Sequence, residues 1–279
     1  MCRLPIYYCD STDIERTVRS NQHALTNYQF RHNGFEVLQI LELIPKADHL
    51  ALITTLQLYL RFEEDYKHTT FLLESTPSLV SLDIEVLMDR PETIFPSIPL
   101  SGGPRRLKSL RLECFYFENG GTTLFNTVRF EDLEELQLFF CKAYGCLLLE
   151  LTHSHLPLKL KSFCIDEQDT RAVQFDNNTN IFLGSLNSLE RISLALDPDL
   201  GFTDIKIDWC ALEAHASTLK YLRVECNVLD SLFPTESSIT AFERLCKSAD
   251  NLKQLAISGL RQYLTDKQLS MVHFLVYFA

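Results

Sequence analysis

The chain has 279 residues, 46% of them apolar, with 37 acidic side chains against 26 basic ones and a formal charge of −11. That balance argues against DNA or RNA as a direct partner, because affinity for a phosphate backbone comes mostly from Lys and Arg and no basic run gathers the cations here. It favours a protein partner with a basic patch, while an acidic surface also serves solubility.

At the start of the chain, Leu4-Pro5 is followed by Ile6-Tyr7-Tyr8-Cys9, which reads as a strand and then a loop. No basic region leads into an apolar stretch, so no secretory signal is expected. From Leu25 onward one register, Leu-x-x-Leu-x-Leu, recurs every 26 to 33 residues, with starts at Leu25, Ile53, Leu79, Leu107, Leu133, Leu160, Leu189, Leu219 and Leu252. The cleanest copies begin at Leu107, Leu133 and Leu252. Others, such as Leu160-Phe163-Ile165, keep the spacing and exchange one large apolar residue for another.

Fixed spacing at this period is the signature of a leucine-rich-repeat solenoid, in which each repeat of roughly 20 to 29 residues supplies one strand. The expected fold class is therefore α/β: a right-handed horseshoe with parallel strands on the concave face and helices on the convex face. Within each copy the three apolar residues point inward along a short strand, and the remaining residues return the chain through a loop, a helix and a second loop. No linker divides the copies, so residues 1–279 are expected to form a single domain of about nine repeats.

Between the copies, the sequence predicts particular elements. The stretch at 96–104, Pro-Ser-Ile-Pro-Leu-Ser-Gly-Gly-Pro, reads as an inter-repeat loop in place of a full helix. Cys141 holds the ninth place of its copy and Asn227 the same place in the Leu219 copy, where Asn or Cys bridges backbone groups in the turn after the strand. His153-Ser154-His155 reads as an exposed loop, since no Cys or carboxylate pair stands nearby at zinc-like spacing. Ahead of Leu219, Ile205, Ile207, Trp209, Leu212 and Ala216 mark a helix with Asp208 as its cap. Ahead of Leu252, Ile239, Phe242, Leu245, Cys246 and Ala249 form the apolar stripe of a helix whose polar face carries Glu243, Arg244, Lys247 and Asp250.

The chain closes on Met271-Val272-His273-Phe274-Leu275-Val276-Tyr277-Phe278-Ala279, which is apolar but too short to span a bilayer. Solenoids need polar caps at their ends, so the ends read as uncapped, a truncated chain is favoured over a capping helix, and the isolated chain is expected to self-associate. Nine cysteines without a Cys-x-x-Cys pair suit reduced thiols in cytoplasm or nucleus. In that setting the sequon Asn177-Asn178-Thr179 carries no message.

Catalytic patterns are thin. Gly102-Gly103-Pro104 lacks the lysine and spacing of a phosphate loop, and no Gly-x-Ser-x-Gly elbow occurs. The expectation is a non-enzymatic protein without cofactor or metal, whose working surface is the concave face. There the fifth and seventh places of each copy point outward. They present an aromatic and charged cluster of Tyr59, Glu85, Arg111, Glu113 and Phe139, continued by Asp166, Arg223 and Glu225. Aromatic residues beside arginine are what protein interfaces use as anchors; the competing account makes Glu85, Arg111 and Glu113 a charge ladder between neighbouring strands.

The repeats, and above all the segments Phe242-Glu243-Arg244-Leu245-Cys246-Lys247-Ser248-Ala249-Asp250-Asn251-Leu252-Lys253-Gln254-Leu255 and Leu212-Glu213-Ala214-His215-Ala216-Ser217-Thr218-Leu219-Lys220-Tyr221-Leu222, resemble the repeat region of fungal F-box/leucine-rich-repeat proteins over about residues 20–260. The resemblance implies a substrate-recognition domain of an SCF-type ubiquitin ligase, in which an N-terminal F-box binds a Skp1-type adaptor and the repeats hold the substrate. Leu4-Pro5 is the only trace of an F-box opening, so adaptor binding would need an F-box upstream. The alternative is a repeat scaffold or regulator with no link to ubiquitination.

Overall fold

The computed structural model describes residues 27–29, 51, 53–60, 63–86, 100, 103–117, 122–166, 177–196, 207–226 and 235–257. By its contacts the chain divides into two compact units, the first comprising Met1–Phe115 with Thr122–Leu133 and the second Tyr116–Gly121 with Glu134–Ala279. Both are α/β, and every strand pairing within them is parallel.

In the first unit, β1 (Asn27–Gln29), β2 (Thr55–Leu60), β3 (Ser81–Val86) and β4 (Ser109–Glu113) pair side by side in chain order. Helix α1 (Glu63–Ser75) joins β2 to β3, and after β4 come the single turn α2 (Thr122–Phe125) and a 3-10 turn at Phe130–Asp132. The second unit pairs β5 (Glu135–Phe139), β6 (Ser162–Asp166), β7 (Arg191–Leu196), β8 (Tyr221–Cys226) and β9 (Gln254–Ile257), again in chain order. Its connections are α3 (Tyr144–His153), α4 (Asn177–Ser185), α5 (Trp209–Glu213) and α6 (Glu236–Ser248), each helix touching the next.

The apolar triplet explains why strands form where they do. From the second copy to the ninth, the first, fourth and sixth places are all buried, as in Leu133, Leu136 and Leu138 or Leu219, Leu222 and Val224. Alternation in a strand sends these side chains to one face. That face is covered by the helices, as shown by Phe163 of β6 lying against Phe182 of α4 with ring centroids 5.3 Å apart. Register follows from the same pattern: Leu82 opposite Leu110 and Leu138 opposite Ile165 put like places side by side, and a slip of one residue would turn the whole triplet away from the helices.

Backbone hydrogen bonds repeat with the triplet. The carbonyl of the second place accepts from the amides of the second and third places of the following copy: Thr54 from Val80 and Ser81, Val80 from Lys108 and Ser109, Glu134 from Lys161 and Ser162, Lys161 from Glu190 and Arg191, Glu190 from Lys220 and Tyr221, and Lys220 from Lys253 and Gln254. The second place is exposed or half-exposed in every one of these copies, and Val80, a large apolar residue there, is 42% exposed.

The two helices expected before Leu219 and Leu252 form, with adjustments. Asp208 caps α5 by accepting from the Cys210 amide at 2.9 Å, and Ile207, Trp209, Leu212 and Ala216 are buried, while Ile205 lies outside the described residues. In α6 the buried stripe is Ala241, Phe242, Leu245 and Ala249, with Ile239 and Cys246 only partly covered. The stripe is thus rotated toward Ala241, because Phe242 turns to meet Trp209 edge-on at 4.9 Å. Thr235 caps this helix by accepting from the Ser238 amide at 3.2 Å.

Elsewhere the connection departs from a regular helix. Among the described residues between β4 and β5 stand the four-residue α2 and the 3-10 turn, and Phe130 fills the core against Phe125 at 4.9 Å. His153 is not in a loop: it is the last residue of α3, with Ser154 and His155 in the following turn, and all three are exposed. Asn227, most of 96–104, the N-terminal Leu4-Pro5 segment and the apolar tail from Met271 lie outside the described residues.

Candidate functional site

Parallel strands in register place equivalent outward residues in rows, so the surface opposite the helices can be built row by row. In the first unit the fifth places run Gln29, Gln57, Asp83, Arg111, and the seventh places run Tyr59, Glu85, Glu113. Asp83 and Arg111 are therefore direct neighbours, and the guanidinium donates from Nη1 to Asp83 Oδ2 at 3.0 Å and from Nη2 to Glu113 Oε2. Burial works to lower the Arg111 pKa, but Asp83, Glu113 and Glu85 outweigh it and hold the group above its ordinary value. Gln57, beside Asp83 on β2, is 8% exposed and forms part of the floor.

Of the residues expected here, Glu85, Arg111 and Glu113 sit together and are half-exposed. Tyr59 lies opposite Glu85 in the backbone register, but its side chain is outside what the structure describes. Both sequence readings meet at Arg111. It lies on the outward face, and it is tied into a ladder whose cross-strand rung is Asp83, its neighbour on β3, rather than the expected Glu85.

In the second unit the seventh places run Phe139, Asp166, Ala195, Glu225, the fifth places Gln137, Cys164, Ser193, Arg223, Ala256, and the third places Glu135, Ser162, Arg191, Tyr221, Gln254. Phe139 and Asp166 are neighbours and half-exposed. Arg223 donates to Glu225 at 2.6 Å, and this hydrogen bond first, then the charges of Glu225 and Asp166, raises its pKa against the effect of burial. Between the charged residues lies a shallow floor of Cys164, Ser193 and Ala195, the last of these 1% exposed despite its outward place; short side chains let their longer neighbours close over them.

Two features of this surface were missed by considering only the fifth and seventh places. At the third place, the Arg191 guanidinium stacks over the Tyr221 ring, 4.6 Å from its centroid. At the second place, charge alternates from strand to strand: Glu134 accepts from Lys161 at 2.7 Å and Glu190 from Lys220 at 2.6 Å. These bonds raise the Lys161 pKa, chiefly through Glu134, and lower that of Glu190, chiefly through Lys220. The signal was in the sequence, since Glu134, Lys161, Glu190, Lys220 and Lys253 occupy one place of successive copies.

The remaining chemistry is structural. Cys141 is buried and its thiol donates to the Phe139 carbonyl at 3.4 Å, bridging the turn as its ninth place suggested. Burial raises the Cys164 thiol, partly offset by its hydrogen bond with Ser193, and burial with Glu243 pushes Cys246 up to about 12. Neither is a thiolate at neutral pH, so neither is an activated nucleophile. Thr179 of the sequon is fully buried in α4. No group of three or more His, Cys, Asp or Glu side chains among the described residues could hold a metal ion, and no described helix is long and apolar enough to cross a membrane.

No protein family's sequence profile matches the chain, and a search of curated proteins finds no match. The class that the fold defines is an α/β protein of parallel strands alternating with helices.

Proposed function

We propose that the chain is a non-catalytic protein-binding module of the leucine-rich-repeat solenoid class, which docks its partner on the concave strand face and works in the cytoplasm or nucleus. The observation that carries this reading is the division of labour within each copy. From the second copy to the ninth the first, fourth and sixth places are spent on the core, while the third, fifth and seventh differ from copy to copy and stand in rows on the parallel strands of each unit. Such rows hold Phe139 beside Asp166 and Arg191 over Tyr221, the aromatic and arginine content that anchors protein interfaces.

By resemblance, the module is the substrate-recognition part of an F-box-like SCF ubiquitin-ligase receptor, joined to a Skp1-type adaptor wherever an F-box accompanies it. The second reading is a scaffold or regulator unconnected with ubiquitin, which the same outward rows of side chains would serve equally well. Co-purification of the tagged full-length gene product with a Skp1-type adaptor separates the two. A receptor brings the adaptor down in stoichiometric amount, and recovery of protein partners without it establishes the scaffold.

A further inference from the structure

The outward face of β7–β9 has a charge opposite to that of the chain. Its second, third, fifth and seventh places hold four cations, Arg191, Lys220, Arg223 and Lys253, against two carboxylates, Glu190 and Glu225, in a protein whose formal charge is −11. Both carboxylates are engaged, Glu190 by Lys220 and Glu225 by Arg223, each at 2.6 Å. Arg191 and Lys253 remain, both exposed and neither in an ion pair among the described residues.

These two cations frame a specific place. Arg191, Tyr221 and Gln254 are successive third-place residues on adjacent strands, and Lys253 precedes Gln254. Stacking fixes the Arg191 guanidinium over Tyr221 at 4.6 Å, and a planar guanidinium held by a ring keeps its N–H edge available for a carboxylate. Neighbouring strands lie about 4.8 Å apart, so the strands that carry Arg191 and Lys253, with β8 between them, are about 10 Å apart. A segment crossing the strands can reach both cations with two acidic side chains while its backbone passes over Tyr221.

We propose that the β7–β9 face docks an acidic segment of a partner protein, with carboxylates on Arg191 and Lys253 and an apolar or backbone contact on Tyr221. Resting on the protein-binding reading, it names the partner's chemistry at this unit. Nucleic acid is the poorer occupant, because two available cations neutralise too few phosphates.

The test is fluorescence anisotropy at low salt, using the full chain and a fluorescein-labelled Glu/Ser peptide of about ten residues; rim charges act strongly on such encounters. The expected result is binding that a Gln/Ser peptide of the same length does not show, weakened about tenfold or more by Arg191→Glu with Lys253→Glu. Lys142→Glu, which alters an exposed lysine on another part of the unit, should leave the affinity within about twofold. Arg191→Gln with Lys253→Gln should give an intermediate loss with an unchanged melting temperature, separating docking from folding. Failure of the Glu peptide to bind, equal loss in Lys142→Glu, or tighter binding of an oligonucleotide of the same charge overturns the inference. If the Glu peptide fails while Phe139→Ala still abolishes capture of a cellular partner, the acidic-segment proposal falls and the docking reading stands.

Discussion

His215 follows α5, fully buried, with Nε2 2.9 Å from the Leu183 carbonyl of the preceding copy. Burial lowers its pKa, the Leu183 contact only partly opposing the shift. The folded chain therefore binds this proton less readily than the unfolded chain, whose histidine titrates near ~6.5. Stability from the neutral ring is complete above that pH and is lost as pH falls through it. Denaturant midpoints should be level from about pH 7 to 8 and decline as pH falls below about 6.5, and His215→Phe should flatten that part of the profile. Arg111 gives a second test. Arg111→Gln leaves Asp83 and Glu113 facing each other without their cation; solvent at the strand face moderates the loss to about 1–2 kcal/mol, below that of a fully buried pair, measurable by urea unfolding.

Elements differ in what specifies them. Strands depend on the triplet, so Leu138→Ala at a sixth place should cost about 2–5 kcal/mol, whereas Lys161→Ala on the outward ladder should stay within about 0.5 kcal/mol. Cap residues fall between, with Asp208→Ala expected to cost about 1 kcal/mol through the lost bond to the Cys210 amide. Ala143, ahead of α3, has a φ of 52° and makes no side-chain cap bond. A left-handed alanine is disfavoured by about 1 kcal/mol, so Ala143→Gly should raise the melting temperature in calorimetry. The strands, their register and the α5 cap were legible because period and capping chemistry are local. The α6 stripe was not fully so: its rotation toward Ala241 depends on Trp209 of another copy, which no helical pattern within α6 contains. The end of α3 at His153 was missed because the left-handed position after its cap is held by His155, with φ 51°, and not by the usual glycine.

At the scale of the whole chain, the same spacing that builds the core assigns residues to the outward rows. Glu85, Arg111, Glu113, Phe139, Asp166, Arg223 and Glu225 could be placed on those rows from the sequence, because a register of fixed length makes outwardness a matter of counting. Which of them pair was less legible. The choice of Asp83 over Glu85 by Arg111, and the stacking of Arg191 on Tyr221, depend on neighbours 28 and 30 positions away along the chain. The working claim is that these rows, and not the helices, meet a protein partner. Site-specific photo-crosslinking in cells tests it most directly, with p-benzoylphenylalanine installed at Phe139 or Tyr221 on the strand face and at Phe71 or Ile181, the exposed apolar residues of α1 and α4. Discrete crosslinked partners are expected from Phe139 and Tyr221 and none from Phe71 and Ile181; crosslinks from the helix positions alone would contradict docking on the strand rows.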